Sequence, residues 1–153
     1  MILILTQSSK EGVNYKIAKD CETLINLYNK SCEIKNFNDD IDVESYDSFI
    51  MIIPEWNRSI PYTLKSLIDN SGWPSTFKDK DVFLIGTSGS LGGNMIGISH
   101  LSDILDYIGA HVRKPKVYIE HIKDFDKKSE YAKITTELIL RIIQKACLTP
   151  SKN

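Results

Sequence analysis

Residues 49–69 read FIMIIPEWNRSIPYTLKSLID, and this stretch decides the fold. The apolar run over 49–53 predicts a buried strand, and the leucine and isoleucine residues after Pro61 have the spacing of one helical face. Pro54 and Pro61 fix φ at both ends of the connection and push the residues before them toward extended backbone. A buried strand is therefore predicted to enter a rigid, polar and aromatic turn that leads into a helix.

The same alternation of strand and helix is predicted along the whole chain. Further short apolar runs predict strands over 2–5, 33–37, 81–87 and 117–119. Strands that alternate with helices indicate a parallel sheet with helices on both faces. The predicted fold is an α/β, flavodoxin-like three-layer α/β/α sandwich with a five-stranded parallel sheet of order 2-1-3-4-5. The predicted buried helical faces are Ile17, Cys21, Leu24, Ile25 and Tyr28, then Ile98, Leu101, Leu105 and Ile108, then Tyr131, Ile134, Leu138 and Ile142.

Length and composition predict one ordinary globular domain. The 153 residues are expected to form a single domain over 1–149, followed by a C-terminal tail, 150–153. Net charge is −1, which gives no electrostatic reason to expect nucleic-acid binding, and no apolar run is long enough to span a membrane. Residues 1–5 are interpreted as a strand and not as a signal peptide. Cys21, Cys32 and Cys147 are interpreted as free thiols of a cytoplasmic protein.

Three connections with special sequence follow the first, third and fourth strands, whose ends converge in this fold. The first connection, Thr6–Asn14, has hydroxyls, a glycine and a lysine before a helix, which suits a phosphate. Taken alone, it is better explained by Ser8, Ser9 and Asn14 capping that helix. The third connection, Ser88–Asn94, has three glycines that would let the backbone approach a ligand closely. The chain lacks both the G-x-G-x-x-G and the P-loop patterns, so neither a Rossmann dinucleotide site nor a P-loop nucleotidase is indicated.

The turn after the third strand resembles the NADPH-dependent FMN reductase family. That family reads P-E-Y-N-x-S-[IV]-P-x-x-L-K-N-x-[IL]-D there, and residues 54–69 of this chain read PEWNRSIPYTLKSLID. The glycine connection resembles the family's second flavin loop in position and glycine content. Trp56 replaces the family's tyrosine. In the phosphate-loop pattern G-S-x-R-x-x-S-x-N, Gly12 takes the place of the second serine and Ser9 that of the arginine, with Lys10 beside it.

The resemblance implies an FMN-dependent NAD(P)H oxidoreductase. Such an enzyme passes a hydride from NADPH or NADH through bound FMN to a small acceptor such as a quinone, a flavin, an azo compound or a metal ion. The flavin carries the chemistry, so no catalytic side chain is predicted. Arg58 is the candidate substrate residue, although a solvated surface arginine is the alternative. The family also implies a cytoplasmic homodimer or homotetramer. The implied cofactor-binding residues are Ser8, Ser9, Lys10, Asn14, Pro54, Glu55, Trp56, Asn57, Ser88, Gly89, Gly92 and Gly93.

Other functions of the same fold remain open or are disfavoured by the sequence. Flavodoxin-like electron carriers are strongly acidic and use a T/S-x-T-G-x-T phosphate loop, which this chain lacks. A receiver domain needs an acidic pair after the first strand, where Thr6 and Gln7 stand instead. A degenerate, non-catalytic flavin-binding module stays possible because the phosphate loop is altered. The three histidines share no ligand spacing, so no metal site is predicted.

Overall fold

A computed structural model describes residues 1–124 and 130–148. Strands and helices alternate through the described chain, as the apolar pattern predicted. The strands are β1 (Ile2–Thr6), β2 (Cys32–Asn36), β3 (Ser48–Pro54), β4 (Asp81–Thr87), β5 (His111–Val112) and β6 (Val117–Ile119). The α-helices are α1 (Val13–Leu27), α2 (Tyr62–Asp69), α3 (Met95–Tyr107) and α4 (Glu130–Leu148), and short 3₁₀ helices cover Val43–Ser45 and Ile122–Asp124.

The strands form one parallel sheet in the order β2-β1-β3-β4-β5, with β6 also paired to β4. Each face of the sheet has its own apolar core. One core packs side chains of α2 and α3 against the sheet, and the other packs side chains of α1 and α4 against the opposite face. Central strands that are covered on both faces have continuous apolar sequences, as in β3 and β4. The predicted flavodoxin-like three-layer sandwich is confirmed.

The fifth strand position is built from two short pieces, whereas the sequence predicted only Val117–Ile119. The first piece, His111–Val112, pairs with the start of β4, and Val117–Ile119 pairs with its end. Pro115 lies between them and has no N–H to donate to a neighbouring strand. The interruption leaves β6 beside the carboxyl end of β4, next to the glycine connection.

Two of the predicted helical faces were partly wrong. Tyr131 and Ile134 are 39% and 52% exposed, because the buried stripe of α4 runs instead through Ala132, Thr135 and Ile142. The Tyr131 hydroxyl bonds to the backbone of residues 118 and 120 at the rim of the sheet, which holds that ring outside the core. In the first helix, Leu24 is only partly buried, and Tyr28 lies just beyond the end of α1 and is 36% exposed. The predicted tail, 150–153, lies outside the described residues.

The three cysteines are free thiols. Cys21 and Cys147 are buried and Cys32 is half-buried, and burial raises the pKa of each, that of Cys21 to about 12. None of the described helices is long and apolar enough to cross a bilayer.

Candidate functional site

The carboxyl ends of β1, β3 and β4 lie side by side, so their three connections meet at one edge of the sheet. Thr87, the last residue of β4, joins them. Its hydroxyl donates to the Asn14 side-chain oxygen over 3.0 Å, and its carbonyl oxygen accepts the Glu55 N–H over 2.8 Å. Ligands of open α/β sheets bind outside the carboxyl ends of strands, where the order of strands reverses. The convergence predicted from the sequence is present.

The first connection leaves the beginning of α1 without a side-chain cap. Gly12 is the N-cap residue, and within the described residues no side chain caps the first N–H groups of the helix. The Ser8 hydroxyl donates instead to the Ser9 carbonyl oxygen over 3.0 Å, while Asn14 accepts from Thr87. The alternative explanation, in which Ser8, Ser9 and Asn14 cap the helix, is therefore wrong. An uncapped N-terminus offers N–H groups and a positive dipole end to an anion.

Ser8 compensates for the glycine at position 12. A Cβ on Gly12 would stand 2.0 Å from the Ser8 hydroxyl oxygen, so that hydroxyl fills the space that a side chain at position 12 would need. The loop thus keeps a hydroxyl where the family pattern has its second serine. The Thr6 hydroxyl is buried with no hydrogen-bond partner in the described structure, and Lys10 is exposed beside the loop. Two hydroxyls, an ammonium group and an uncapped helix fit a phosphate.

The second connection is a tight hairpin turn. Trp56 and Ser59 exchange two backbone hydrogen bonds of 3.0 and 2.9 Å, and Asn57 and Arg58 between them have φ of 50° and 65°. Positive φ at both central positions defines a type I′ turn. The N–H groups of Glu55, Trp56 and Ser59 are all bonded within the protein. Within the described structure, the turn therefore offers a ligand the N–H groups of Asn57 and Arg58.

Two aromatic rings form the outer wall of this turn. The Trp56 and Tyr62 ring centroids lie 6.0 Å apart with planes inclined by 52°. Their side chains are 40% and 72% exposed. Exposed aromatic faces beside a ligand site suit a flat ring system, because aromatic pairs gain from stacked or edge-to-face contact.

Most of the third connection is held by bonds within the protein. The buried Ser88 hydroxyl donates to the Ser90 carbonyl oxygen over 2.6 Å and accepts the Gly93 N–H over 3.1 Å. Gly93 has φ of +53°, and a Cβ there would stand 2.6 Å from the Ile119 nitrogen. The close approach that Gly93 permits is thus to β6. Gly92 has φ of +94°, and its N–H donates to the Glu120 carboxylate over 3.0 Å.

Gly89 differs from the other glycines of this connection because it lies at the exposed tip. A Cβ on Gly89 or on Gly92 would meet no atom within 4 Å, but Gly92 is half-buried and its N–H is bonded to Glu120, whereas Gly89 is exposed. It is the glycine of the connection that an approaching ligand reaches most readily. Cofactor contacts by Ser88, Gly89, Gly92 and Gly93 stay predictions.

Sequence reasoning missed Thr87, Asn94 and Glu120. Thr87 was assigned to the fourth strand, and only its pairing partners place it between the other two connections. An asparagine directly after two glycines is a signal for left-handed backbone, and Asn94 has φ of +63°. No group of three or more potential metal ligands occurs within residues 1–124 and 130–148.

The fold and the convergent connections define a flavodoxin-like protein whose site suits a phosphate and a flat ring. The chain belongs to the NADPH-dependent FMN reductase family, whose sequence profile matches residues 3–124. This places the protein among the oxidoreductases that use FMN. The predicted family is confirmed.

One sequence relative and two solved structures are similar to the chain, and the solved structures show the fold alone. A 2-hydroxy-1,4-benzoquinone reductase from Burkholderia sp is 34% identical over 79 residues, which cover 49% of this chain and 43% of the relative. The chain thus aligns with less than half of that relative. The structure of FerB, a flavoenzyme NAD(P)H:(acceptor) oxidoreductase from Paracoccus denitrificans, has a TM-score of 0.73 at 18% identity, covering 95% of this chain and 94% of the other. Megasphaera elsdenii flavodoxin has a TM-score of 0.70 at 18% identity, covering 92% and 99%.

Proposed function

We propose that this protein is an FMN-dependent NAD(P)H oxidoreductase that passes a hydride from a nicotinamide through bound FMN to a small acceptor. The convergence of the phosphate-type loop, the type I′ turn and the glycine connection carries the proposal. Thr87 bonds to the first two of these segments and directly precedes the third. The alternatives share the fold, and fold alone does not decide function.

The phosphate of FMN would lie at the beginning of α1. The first-turn N–H groups and the Ser8 hydroxyl would donate to it, and Lys10 would supply positive charge. Asn14 would contribute by holding α1 against β4, since its side-chain oxygen is bonded to Thr87. This arrangement replaces the family's arginine by a lysine, which carries the charge but lacks the fork of donors.

The isoalloxazine ring would lie between the turn and the exposed tip of the glycine connection. When bound, FMN supplies hydride and electron transfer. The protein's task is to bind, orient and tune it, and the N–H groups of Asn57 and Arg58 would donate to its edge. No acid–base side chain is required for that task.

The proposed acceptor is a planar conjugated compound, with a quinone as the first candidate. The Trp56 and Tyr62 rings offer a stacking wall beside the ring site, and the Burkholderia relative is named as a benzoquinone reductase. A free flavin or an azo compound has the same flat shape, whereas a metal ion would make no use of these rings. NADPH is proposed as donor, with Arg58 at the turn contacting a nucleotide phosphate. A homodimer or homotetramer in the cytoplasm is part of the proposal.

The visible absorption spectrum tests the proposal. Purified protein, loaded with FMN where needed, is recorded before and after anaerobic NADPH. Flavin bands that bleach within the mixing time support the reductase. Bands that persist with both NADPH and NADH contradict it and favour an electron carrier. A colourless protein that takes up no added FMN would contradict the proposal and indicate a degenerate, non-catalytic family member.

A further inference from the structure

Asn94 lies where the Pro54–Pro61 turn meets the glycine connection, and this meeting point is called the joint. It is fully buried, and its side-chain nitrogen Nδ2 donates to the Ile53 carbonyl oxygen over 3.2 Å. Ile53 is the residue before Pro54, where the turn begins, and Asn94 directly follows the last glycine of the third connection. One side chain thus ties the start of one candidate flavin loop to the end of the other.

Two glycines make room for Asn94 and for the backbone directly before it. A Cβ on Gly97 would stand 2.3 Å from Asn94 Oδ1 and 2.9 Å from the Ser59 carbonyl carbon. A Cβ on Gly86 would stand 2.3 Å from the Gly93 carbonyl oxygen and 3.4 Å from the Asn94 Cβ, so Gly86 admits the backbone that leads into Asn94. The absence of a side chain at Gly97 lets α3 contact the far end of the turn as well as the amide. Asn94 is therefore bonded to the start of the turn, at Ile53, while α3 at Gly97 lies close to its far end, at Ser59.

The conformation and burial of Asn94 each carry a local energetic cost. Its backbone is left-handed, with φ of +63° and ψ of +33°, and its Oδ1 is buried without a hydrogen-bond partner in the described structure. It is the N-cap residue of α3, yet its side chain does not cap that helix. A buried polar atom without a partner and an unusual backbone conformation destabilise the fold, and residues of this kind cluster at functional sites.

We propose that Asn94 is a positioning residue that fixes the Pro54–Pro61 turn relative to the glycine connection, and thereby sets the Asn57 and Arg58 N–H groups against the flavin edge. Only the part of this proposal that concerns the flavin rests on the proposed function. The position of the turn itself can be measured in protein without FMN. The amide would act through its bond to the Ile53 carbonyl oxygen, without touching the cofactor.

Asn94→Gly tests the proposal with the least disturbance. Glycine adopts positive φ without strain, so this variant removes the amide and leaves the backbone conformation accessible. Asn29→Gly is the matched control, because Asn29 also has positive φ, 55°, but is exposed and follows the end of α1. It lies two residues before Ser31, whose carbonyl accepts the Ile2 N–H at the opposite end of β1. Gly97→Ala disturbs the joint from the α3 side and, since alanine favours helix, does not threaten α3 itself.

The first readout needs no cofactor. In a Trp73→Phe background, Trp56 is the one remaining tryptophan of the chain, and its quenching by acrylamide reports the exposure of the turn. We expect Asn94→Gly and Gly97→Ala to raise the quenching constant about twofold, and Asn29→Gly to leave it unchanged. Quenching constants of both joint variants equal to that of Asn29→Gly would overturn the proposal.

The second readout is the bound cofactor. We expect Asn94→Gly to raise the Kd for FMN about tenfold and to shift the reduction potential of bound FMN relative to Asn29→Gly. A change in quenching with an unchanged Kd for FMN and an unchanged reduction potential would overturn the proposed effect of Asn94 on the cofactor. Wild-type protein that binds no FMN would refute the proposed function, while the quenching comparison would still decide whether Asn94 holds the turn.

Discussion

The Thr87 hydroxyl donates a hydrogen bond to the Asn14 side chain over 3.0 Å, across 73 residues of sequence. This bond joins the first turn of α1 to the last residue of β4. The Thr87 carbonyl oxygen accepts the Glu55 N–H in addition, so the residue contacts two of the three connections and leads into the third. The geometry of the candidate phosphate site is thereby coupled to that of the candidate ring site.

Thr87→Val should weaken this coupling while keeping the shape of a buried side chain. We expect a loss of about 1 kcal/mol in the free energy of unfolding, because the part-buried Asn14 oxygen loses its donor. The Kd for FMN should also rise. Thr136→Val is the control, since it removes an α4 hydroxyl that donates to the Ala132 carbonyl oxygen of its own helix. Urea unfolding and FMN titration measure both quantities, and equal FMN affinities for the two variants would contradict the coupling.

Gly12→Ser restores the family's serine, yet we expect it to weaken FMN binding. The new Cβ would stand 2.0 Å from the Ser8 hydroxyl oxygen, so Ser8 must rotate and lose its bond to Ser9. A tenfold rise in Kd corresponds to about 1.4 kcal/mol, the scale of one such bond. The double variant Ser8→Gly with Gly12→Ser should recover the affinity, because it moves the hydroxyl from one position to the other. Additive losses in a double-mutant cycle would show that Ser8 does not stand in for the missing serine.

Gly93→Ala and Gly89→Ala should separate the two kinds of glycine in the third connection. Gly93 has left-handed backbone, and a Cβ there would stand within 2.8 Å of three backbone atoms of β6, so we expect a loss of about 3 kcal/mol. A Cβ on Gly89 meets open space, so its effect on stability should be below about 0.5 kcal/mol. Thermal unfolding of both proteins measures the difference. Similar midpoints would show that the connection shifts to admit a side chain at Gly93.

The fold could be predicted because local sequence patterns specify its strands and helices. The run Phe49–Ile53 and the spacing of Leu64 and Ile68 specify a buried strand and the buried face of the next helix, and the parallel order follows from their alternation. The strand bounds at the fifth position of the sheet were harder to predict, because the piece His111–Val112 is too short to show a periodic pattern. Tyr131 was assigned to the core because its spacing fits a helical face, but its hydroxyl bonds to the rim of the sheet.

The candidate site was predictable in its location and only in part in its contacts. Prolines identified the second connection and glycines the third, because such residues are needed where the chain turns sharply, and hydroxyls with a lysine before a helix identified the first. The bonds between connections join residues far apart in sequence, as in Asn94 to Ile53 and Gly92 to Glu120. No local pattern encodes those pairs. Sequence assigned Gly93 to a ligand, which stays a prediction, and it could not show that Gly93 also lies close to β6.

Tyr46 should make the protein less stable at high pH. Burial, together with a hydrogen bond of 2.7 Å to the Glu33 carboxylate, raises the pKa of Tyr46 to about 12. The unfolded chain releases this proton near the ordinary pKa of about 10. The contribution of Tyr46 is therefore complete below about pH 10 and falls as the pH rises toward about 12.

The wild type, Glu33→Gln and Tyr46→Phe together test this origin of the pH dependence. Urea unfolding between about pH 9 and about pH 12 should show the steepest loss of stability in wild type and the shallowest in Tyr46→Phe. Glu33→Gln should lie between them, because burial remains after the carboxylate is removed. Identical slopes in the three proteins would assign the alkaline loss to other groups.

Arg58→Ala should raise the KM for NADPH and leave kcat nearly unchanged. Arg58 lies at the exposed tip of the type I′ turn, beside the site proposed for the ring, and a guanidinium group there would contact a nucleotide phosphate. Loss of one charge-assisted contact is worth about 1.5 kcal/mol, which is a rise of roughly tenfold. Arg58→Lys keeps the charge, so its KM for NADPH should lie between those of the wild type and Arg58→Ala. The KM for NADH should rise less than that for NADPH if the 2′-phosphate is the partner. An unchanged KM for both nucleotides in Arg58→Ala would assign this residue to the solvated surface, and the acceptor would then have to be recognised by Trp56 and Tyr62 without a cation from the turn.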